Sequence, residues 1–248
     1  MTLDGTNTWV LSAPGADRCV VVDPGPDDAA HRAAVLGQAA ARSTRVGVVL
    51  LTHGHPDHAE GAAAFAEAAR ADGRTPGVRA LDPAVRLGSE GLVDGDVVTE
   101  AGLEVSVIAT PGHTADSLSF LLRGPGQEAP DLLTGDTVLG RGSSVVAFPE
   151  GRLGAYLESL DRLSVVCGAT DVARLLPGHG PVLDHPAEVL EAYKQHRQER
   201  LEQVAAAMRG GARTAADVVA VVYADVDEAL WPAAAASVRA QLAYLTGQ

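Results

Sequence analysis

The segment Leu51-Thr52-His53-Gly54-His55-Pro56-Asp57-His58 constrains this chain more than any other, because three histidines and a carboxylate fall within six positions. The apolar run Val46-Gly47-Val48-Val49-Leu50-Leu51 leads directly into it. That run is short, β-branched and unbroken, which predicts a buried strand. The histidines then stand in the turn at the strand's C-terminal end, where open α/β sheets place their chemistry. Side chains of extended backbone alternate with period two, so His53 and His55 point the same way. Asp57 and His58 follow as the chain turns and face a neighbouring point. The expectation is a pair of adjacent metal positions, one served by His53 and His55 and the other by Asp57 and His58. Imidazole nitrogen and carboxylate oxygen are donors that suit zinc. The competing reading is a histidine cluster without metal.

Composition sets the frame for that site. A chain of 248 residues suits one large α/β domain, or one domain with a small appendage. With 46% hydrophobic and 21% charged residues, the balance is that of an ordinary globular protein. The formal net charge of −13 discourages non-specific attraction to nucleic acid or to an anionic membrane. A local basic groove remains compatible with it, and bound divalent metal would offset part of the charge. Cys19 and Cys167 lie far apart and in or near apolar runs, so both are expected as free, buried thiols rather than a disulfide or metal ligands. No secretory signal and no membrane-length apolar run are present, and the expectation is a cytoplasmic protein without membrane partners.

Along the chain, strands are predicted at 8–11 and 18–23, with Pro14 to Asp17 as the turn between them. A helix is predicted over 27–41, the histidine-bearing strand over 45–51, and a second helix over 60–71. Strands follow at 78–80, 96–99, 103–109, 117–122 and 131–134, then a helix from 153 to about 165 and a strand at 172–176. This mixed order fits two sheets packed face to face with helices outside. From residue 187 the pattern is helical only, with helices over 187–208, from an N-cap at Thr214 to Tyr223, and over 228–245. The division expected is a catalytic domain over 1–186 and a helical domain over 187–248.

Further ligand-type residues recur in one kind of place. His113 follows the strand ending at Ala109, Asp136 follows the strand at 131–134, and His179 follows the strand ending at Leu176. Each sits beside a glycine, which lets the backbone bring its side chain close to a metal. Only His31, His185 and His196 fall outside the pattern, and they are read as solvated surface residues.

His-x-His-x-Asp-His at 53–58, then His113, Asp136 and His179, arrive in the order of the metallo-β-lactamase superfamily, which the chain resembles over about residues 6–181. The resemblance implies an αββα sandwich with a two-metal site on one edge and a hydrolytic enzyme. It implies that His53, His55 and His113 bind the first metal, that Asp57, His58 and His179 bind the second, and that Asp136 bridges both. Two zinc ions in such a site share a water, lower its pKa and make hydroxide available as nucleophile at neutral pH. Iron and manganese are the other metals that this donor set admits. Asp57 and Asp136 are the carboxylates expected to take part in catalysis.

Gly5-Thr6-Asn7-Thr8-Trp9, Thr134-Gly135-Asp136-Thr137 and Leu176-Pro177-Gly178-His179-Gly180-Pro181 resemble the lactamase-beta-like 2 branch, as does the charged helix with Tyr193, His196, Arg197 and Arg200. That likeness implies a winged-helix-like C-terminal extension and, from a mitochondrial member, endoribonuclease action on single-stranded RNA. The alternatives are a glyoxalase II-like thioesterase, another small-molecule ester or lactone hydrolase, and a non-catalytic metal-binding module. The family usually opens with a further strand before the Gly-Thr-Asn-Thr segment, for which Met1 leaves no room, and closes with a wing hairpin that would begin where Leu245-Thr246-Gly247-Gln248 ends the sequence. Basic and acidic side chains roughly balance over 187–248, so a helical cap over the cleft or a homodimer surface competes with nucleic-acid binding. Arg141 is the candidate contact for an anionic substrate. Ser143, Ser144 and Thr114 are read either as hydroxyls that bond phosphate oxygens or as turn residues bonding their own backbone.

Overall fold

The structure is a computed structural model, and it describes residues 5–247. The expectation that no strand precedes the Gly-Thr-Asn-Thr segment falls on residues 1–4, outside the described residues. Among the described residues ten strands form two sheets. The first holds β1 (Trp9–Leu11), β2 (Arg18–Val22), β3 (Arg45–Leu50) and β4 (Gly77–Arg79), in that order, with β2, β3 and β4 parallel. The second runs β10 (Leu183–Asp184), β9 (Arg174–Pro177), β8 (Asp131–Gly135), β7 (Leu118–Arg123), β6 (Leu103–Ala109), β5 (Val97–Glu100), antiparallel except for β8 beside β9.

Alternation within the strands explains the layering. On β2 and β3, Val20, Val22, Val48 and Leu50 face the second sheet and meet Val105, Val107, Phe120 and Leu122. The residues between them, Cys19, Val21, Val49 and Leu51, face outward onto α1 (Ala29–Ala41) and α3 (Ala62–Ala68) through Val35, Ala39 and Phe65. The second sheet is buried on both faces too. Leu121, Leu132 and Leu175 pack outward on Tyr156, Leu160 and Leu163 of α4 (Leu153–Thr170). Period-two strands with both faces apolar admit a helix–sheet–sheet–helix stack, and this is the αββα sandwich. Truncating a fully buried core residue such as Phe120 would cost about 3–5 kcal/mol.

Several elements differ from the sequence reading. The helix expected from residue 60 is preceded by a single turn, α2 (Pro56–Ala59), opened by Pro56. Helix α4 runs to Thr170, five residues beyond its expected end, and closes at Asp171 in a left-handed conformation. The two-residue β10 was not expected, since so short a strand carries no period.

Three helices follow: α5 (Pro186–Arg209), α6 (Ala215–Val222) and α7 (Trp231–Thr246). The expected N-cap at Thr214 forms as a capping box, with the Asp217 amide donating to Thr214 Oγ1 and the Thr214 amide to Asp217 Oδ2. Helix α5 belongs to both bodies of the molecule. Leu190 and Leu201 join the α4 layer, whereas Val204 and Ala207 join Val218, Val219 and Val238 of the helical region. Among the described residues no helix is long and apolar enough to cross a membrane. Cys19 and Cys167 are free, buried thiols whose ionisation burial disfavours.

Candidate metal centre

Strand register brings the ligand-type residues together. Val22 pairs with Leu50, and Leu50 with Arg79, so the C-terminal ends of β2, β3 and β4 lie side by side. In the other sheet Leu133 pairs with Leu176 and Gly135 with Pro177, which aligns the ends of β8 and β9. The Leu118 amide donates to Thr52 O at 2.7 Å and joins the two sheets at that edge. His53, His113, Asp136 and His179 therefore leave four strand ends on one rim of the sandwich. His53 and His55 converge as expected, and the single turn of α2 carries Asp57 and His58 round to the far side.

Seven side chains fall into overlapping groups whose donor atoms lie within 4.8 Å of one another: His53, His55 and His113; His53, His58 and Asp136; Asp57, His58 and His179. His55 Nδ1 stands 3.1 Å from His53 Nε2 and 3.0 Å from His113 Nε2. On the other side His58 Nε2 is 3.3 Å from His179 Nε2, which is 3.4 Å from Asp57 Oδ2. Asp136 lies between the groups, its Oδ2 3.4 Å from His179 Nε2 and 3.7 Å from His113 Nε2. Nitrogens held tetrahedrally by zinc at about 2.0–2.1 Å sit roughly 3.3 Å apart, so these spacings fit shared metals. The buried Asp136 Oδ1 gives a second test. It has no hydrogen-bond partner, although His58 Nε2 is 3.4 Å away, and a buried carboxylate oxygen calls for one.

The rings are fixed from behind. His58 Nδ1 is 2.9 Å from Asp23 Oδ2, and Asp23 also accepts the Thr52 amide at 2.8 Å and the Thr52 hydroxyl at 2.6 Å. That hydroxyl stands 3.0 Å from His53 Nδ1. His113 Nδ1 donates to Val145 O at 2.8 Å and His179 Nδ1 to Gly5 O at 2.9 Å. Each contact uses the ring nitrogen turned away from the cluster, which orients the ring so that its other nitrogen is the one offered to a metal.

Sequence reasoning missed Asp23. Followed by Pro24-Gly25, it reads as a strand end and turn, and only the fold shows it buried beneath His58 with a left-handed φ of 51°. The Gly5-Thr6-Asn7 segment also gains a role. Asn7 Nδ2 donates to Pro177 O at 3.0 Å and to Gly180 O at 2.7 Å, strapping the segment across the His179 loop. Of the substrate-contact candidates, Arg141 is exposed and Ser143 half-buried. Thr114 and Ser144 are both buried, Thr114 Oγ1 lying 2.7 Å from Ser117 Oγ and Ser144 Oγ 3.3 Å from His113 Nδ1. His185 is exposed and His196 half-buried. His31 is not simply solvated, since its Nε2 meets Thr8 Oγ1 at 2.9 Å.

The superfamily model for metallo-β-lactamases matches residues 1–179, and the β-lactamase-associated winged helix domain matches 214–247. The chain belongs to the metallo-β-lactamase superfamily. It is 33% identical to the "Beta-lactamase-like protein 2 homolog" of Drosophila melanogaster, across 99% of this chain and 83% of that protein. It is 32% identical to an atrochrysone carboxyl ACP thioesterase of Aspergillus fumigatus, across 90% of this chain and 70% of the relative. A metallo-β-lactamase family protein of Thermus thermophilus shares the fold at a TM-score of 0.75 and 23% identity, covering 100% of this chain and 95% of the other. Superfamily members are metal-dependent hydrolases with dinuclear sites, and this enzyme carries the matching His/Asp clusters.

The charges of the site divide its imidazoles into two kinds. Burial works against charged His58, but the carboxylates of Asp23 and Asp136 outweigh it and hold the ring at about 10. His179 is likewise raised to about 10, Asp136 and Asp57 prevailing over burial. Burial and the neighbouring imidazoles hold His53 and His113 low. Burial would raise Asp136, yet the His179 and His58 rings beside it keep it far below the usual carboxylate range. For His58 and His179 the folded values exceed the unfolded one. Their contribution to stability is full below about 6.5 and fades as pH rises through about 10. The metal-free enzyme is therefore expected to melt progressively lower from pH 7 to pH 10, and zinc uptake at pH 7 to release about two protons. Calorimetry in buffers of different ionisation enthalpy counts them; zero release would contradict this protonation pattern.

Gly178 sets how closely the two ligand loops approach. A Cβ there would lie 2.4 Å from Asp136 Oδ1 and 2.9 Å from His58 Cε1. Gly178→Ala is expected to displace the Asp136 carboxylate and weaken zinc binding by about tenfold to a hundredfold. Chelator competition measures this, and wild-type affinity would show that the contact yields without cost.

Proposed function

We propose that this enzyme is a dinuclear zinc hydrolase acting on a small carboxylic ester or thioester. Convergence of the seven donors on one rim carries the hydrolase reading. The donor set of five imidazoles and two carboxylates favours zinc, with iron and manganese as the competing occupants. His53, His55 and His113 would hold one ion, Asp57, His58 and His179 the other, and Asp136 both. When bound, the pair supplies a water acidified to near neutrality and a Lewis acid for the acyl carbonyl. Asp23 and Thr52 keep the rings of His58 and His53 in their binding tautomer. Asp57, part-exposed at the opening, is placed to hold a proton on its way to the leaving group.

The rim of the opening, where His55 and Asp57 are more exposed than His53, His58 and His179, supports this substrate class. Glu150 Oε1 is 3.5 Å from His55 Nε2. A Cβ on Gly54 would stand 3.2 Å from Asp116 Oδ2 and 3.9 Å from Asp82 Oδ2, so two more carboxylates flank the same turn. RNA binding draws on cations set against phosphates. A carboxylate rim on a chain of net charge −13 works against a polyanion and tolerates a neutral acyl substrate. The relative named as a thioesterase supports this choice over single-stranded RNA.

The test sets zinc-loaded enzyme against a panel of aryl esters, acyl thioesters and lactones, and in parallel against end-labelled single-stranded RNA. Expected is acyl turnover that a chelator abolishes and zinc restores, with RNA intact. RNA cleavage that vanishes on Asp136→Ala would replace the acyl reading with an endoribonuclease. Metal binding without turnover on either panel would make the site a non-catalytic module.

A further inference from the structure

We propose that Arg197 and Tyr193 of helix α5 are positioning residues of the metal centre, clamping the loop that runs from Asp136 to the groups that orient His113. The inference rests on the metal site argued above.

Arg197 is 5% exposed, and among the described residues no carboxylate pairs with it. Its Nε is buried without a partner. A buried, unpaired guanidinium is costly, and an apolar side chain would serve packing alone better. Its contacts show what the charge does there. Its Cζ stands 4.7 Å from the centre of the Tyr156 ring, a cation–π arrangement. Its Nη2 donates to the carbonyl of Ser144. Ser144 Oγ is 3.3 Å from His113 Nδ1, and the next carbonyl, Val145 O, accepts from that same nitrogen at 2.8 Å. Arg197 thus fixes the peptide that fixes the ring.

Tyr193, one turn earlier on α5, holds the start of the same loop. Its hydroxyl accepts the Leu139 amide at 2.8 Å and lies 3.0 and 3.1 Å from the carbonyls of Leu139 and Gly142, one of which takes its proton. Tyr156 Oη donates to Thr137 O at 2.7 Å, and the Gly140 amide donates to His179 O at 2.8 Å. The loop leaving Asp136 is therefore pinned from one side by α4 and α5 and from the other by the His179 loop. Helix α5 also carries the core of the C-terminal helices through Val204 and Ala207. The helical extension is mechanically continuous with the ligand loop, through two side chains that touch no reacting atom.

The test uses full-length enzyme stripped of metal, and reads zinc affinity at each site by chelator competition, the cobalt absorption spectrum, and the thermal midpoint of the metal-free protein. Arg197→Met is expected to weaken one of the two sites by about tenfold to a hundredfold, leave the other within threefold, and alter the cobalt bands of the weakened site. Leu201→Ala, one turn further on α5, is the structural control. It should lower the thermal midpoint and leave both affinities and the cobalt spectrum unchanged. Arg197→Met behaving like Leu201→Ala would overturn the proposal. Should Arg197→Met fail to fold, Tyr193→Phe reads the same clamp by deleting a single hydroxyl. A weakened site there supports the clamp, and unchanged affinities overturn it. A wild-type protein that takes up no zinc would instead defeat the metal-site reading beneath it.

Discussion

Asp136→Ala is expected to reduce turnover by about 10³-fold or more, because it removes the one carboxylate that faces both groups of imidazoles. Its Oδ2 is within 3.4 Å of His179 Nε2 and 3.7 Å of His113 Nε2, while Oδ1 is 3.4 Å from His58 Nε2. With metals bound, its negative charge would offset part of the repulsion between two cations. Losing several kcal/mol of transition-state stabilisation corresponds to that rate factor. Asp136→Asn keeps the volume wedged beside Gly178 but not the charge, and it should be nearly as damaging. The check is kcat/KM of the zinc-loaded variants on whichever acyl substrate the panel identifies. An asparagine variant within tenfold of wild type would show that the site works without a bridging charge.

Asp23→Ala is expected to damage both the fold and the metal centre, although Asp23 is itself no ligand. The aspartate is buried and accepts from the Thr52 amide, the Thr52 hydroxyl and His58 Nδ1. Alanine leaves the buried Thr52 amide without an acceptor, a loss of about 1–3 kcal/mol, with the bond to charged His58 lost besides. It also frees the ring of His58, which should weaken the second metal by about tenfold to a hundredfold. Urea unfolding of the metal-free protein measures the first effect and chelator competition the second. A variant that loses stability yet binds both metals normally would reduce Asp23 to a scaffold residue.

What could be read from the sequence divides along a physical line. The cluster at 53–58 was legible because a strand fixes side-chain direction over two residues, and His113, Asp136 and His179 because each follows an apolar run and touches a glycine. The sandwich itself was legible from strands apolar on both faces. The turn of α2 was not, since four residues carry no helical period, and so the side on which Asp57 and His58 land came only with the structure. Nothing local marks Asp23, whose partners lie 29 and 35 residues away. Thr114 and Ser144 show the limit from the other side. A hydroxyl beside a ligand loop can face substrate or protein, and burial turned both inward. Tyr193 and Arg197 resembled a family helix, but their contacts span more than 50 residues and no spacing encodes them.

The two-metal centre itself is open to a direct count. Elemental analysis of protein saturated with zinc and passed over a desalting column gives ions per chain. Wild type should hold two, while His113→Ala and Asp57→Ala, one from each group, should each hold one. A wild-type count of one or none, or a count unchanged in both variants, would contradict the site described here.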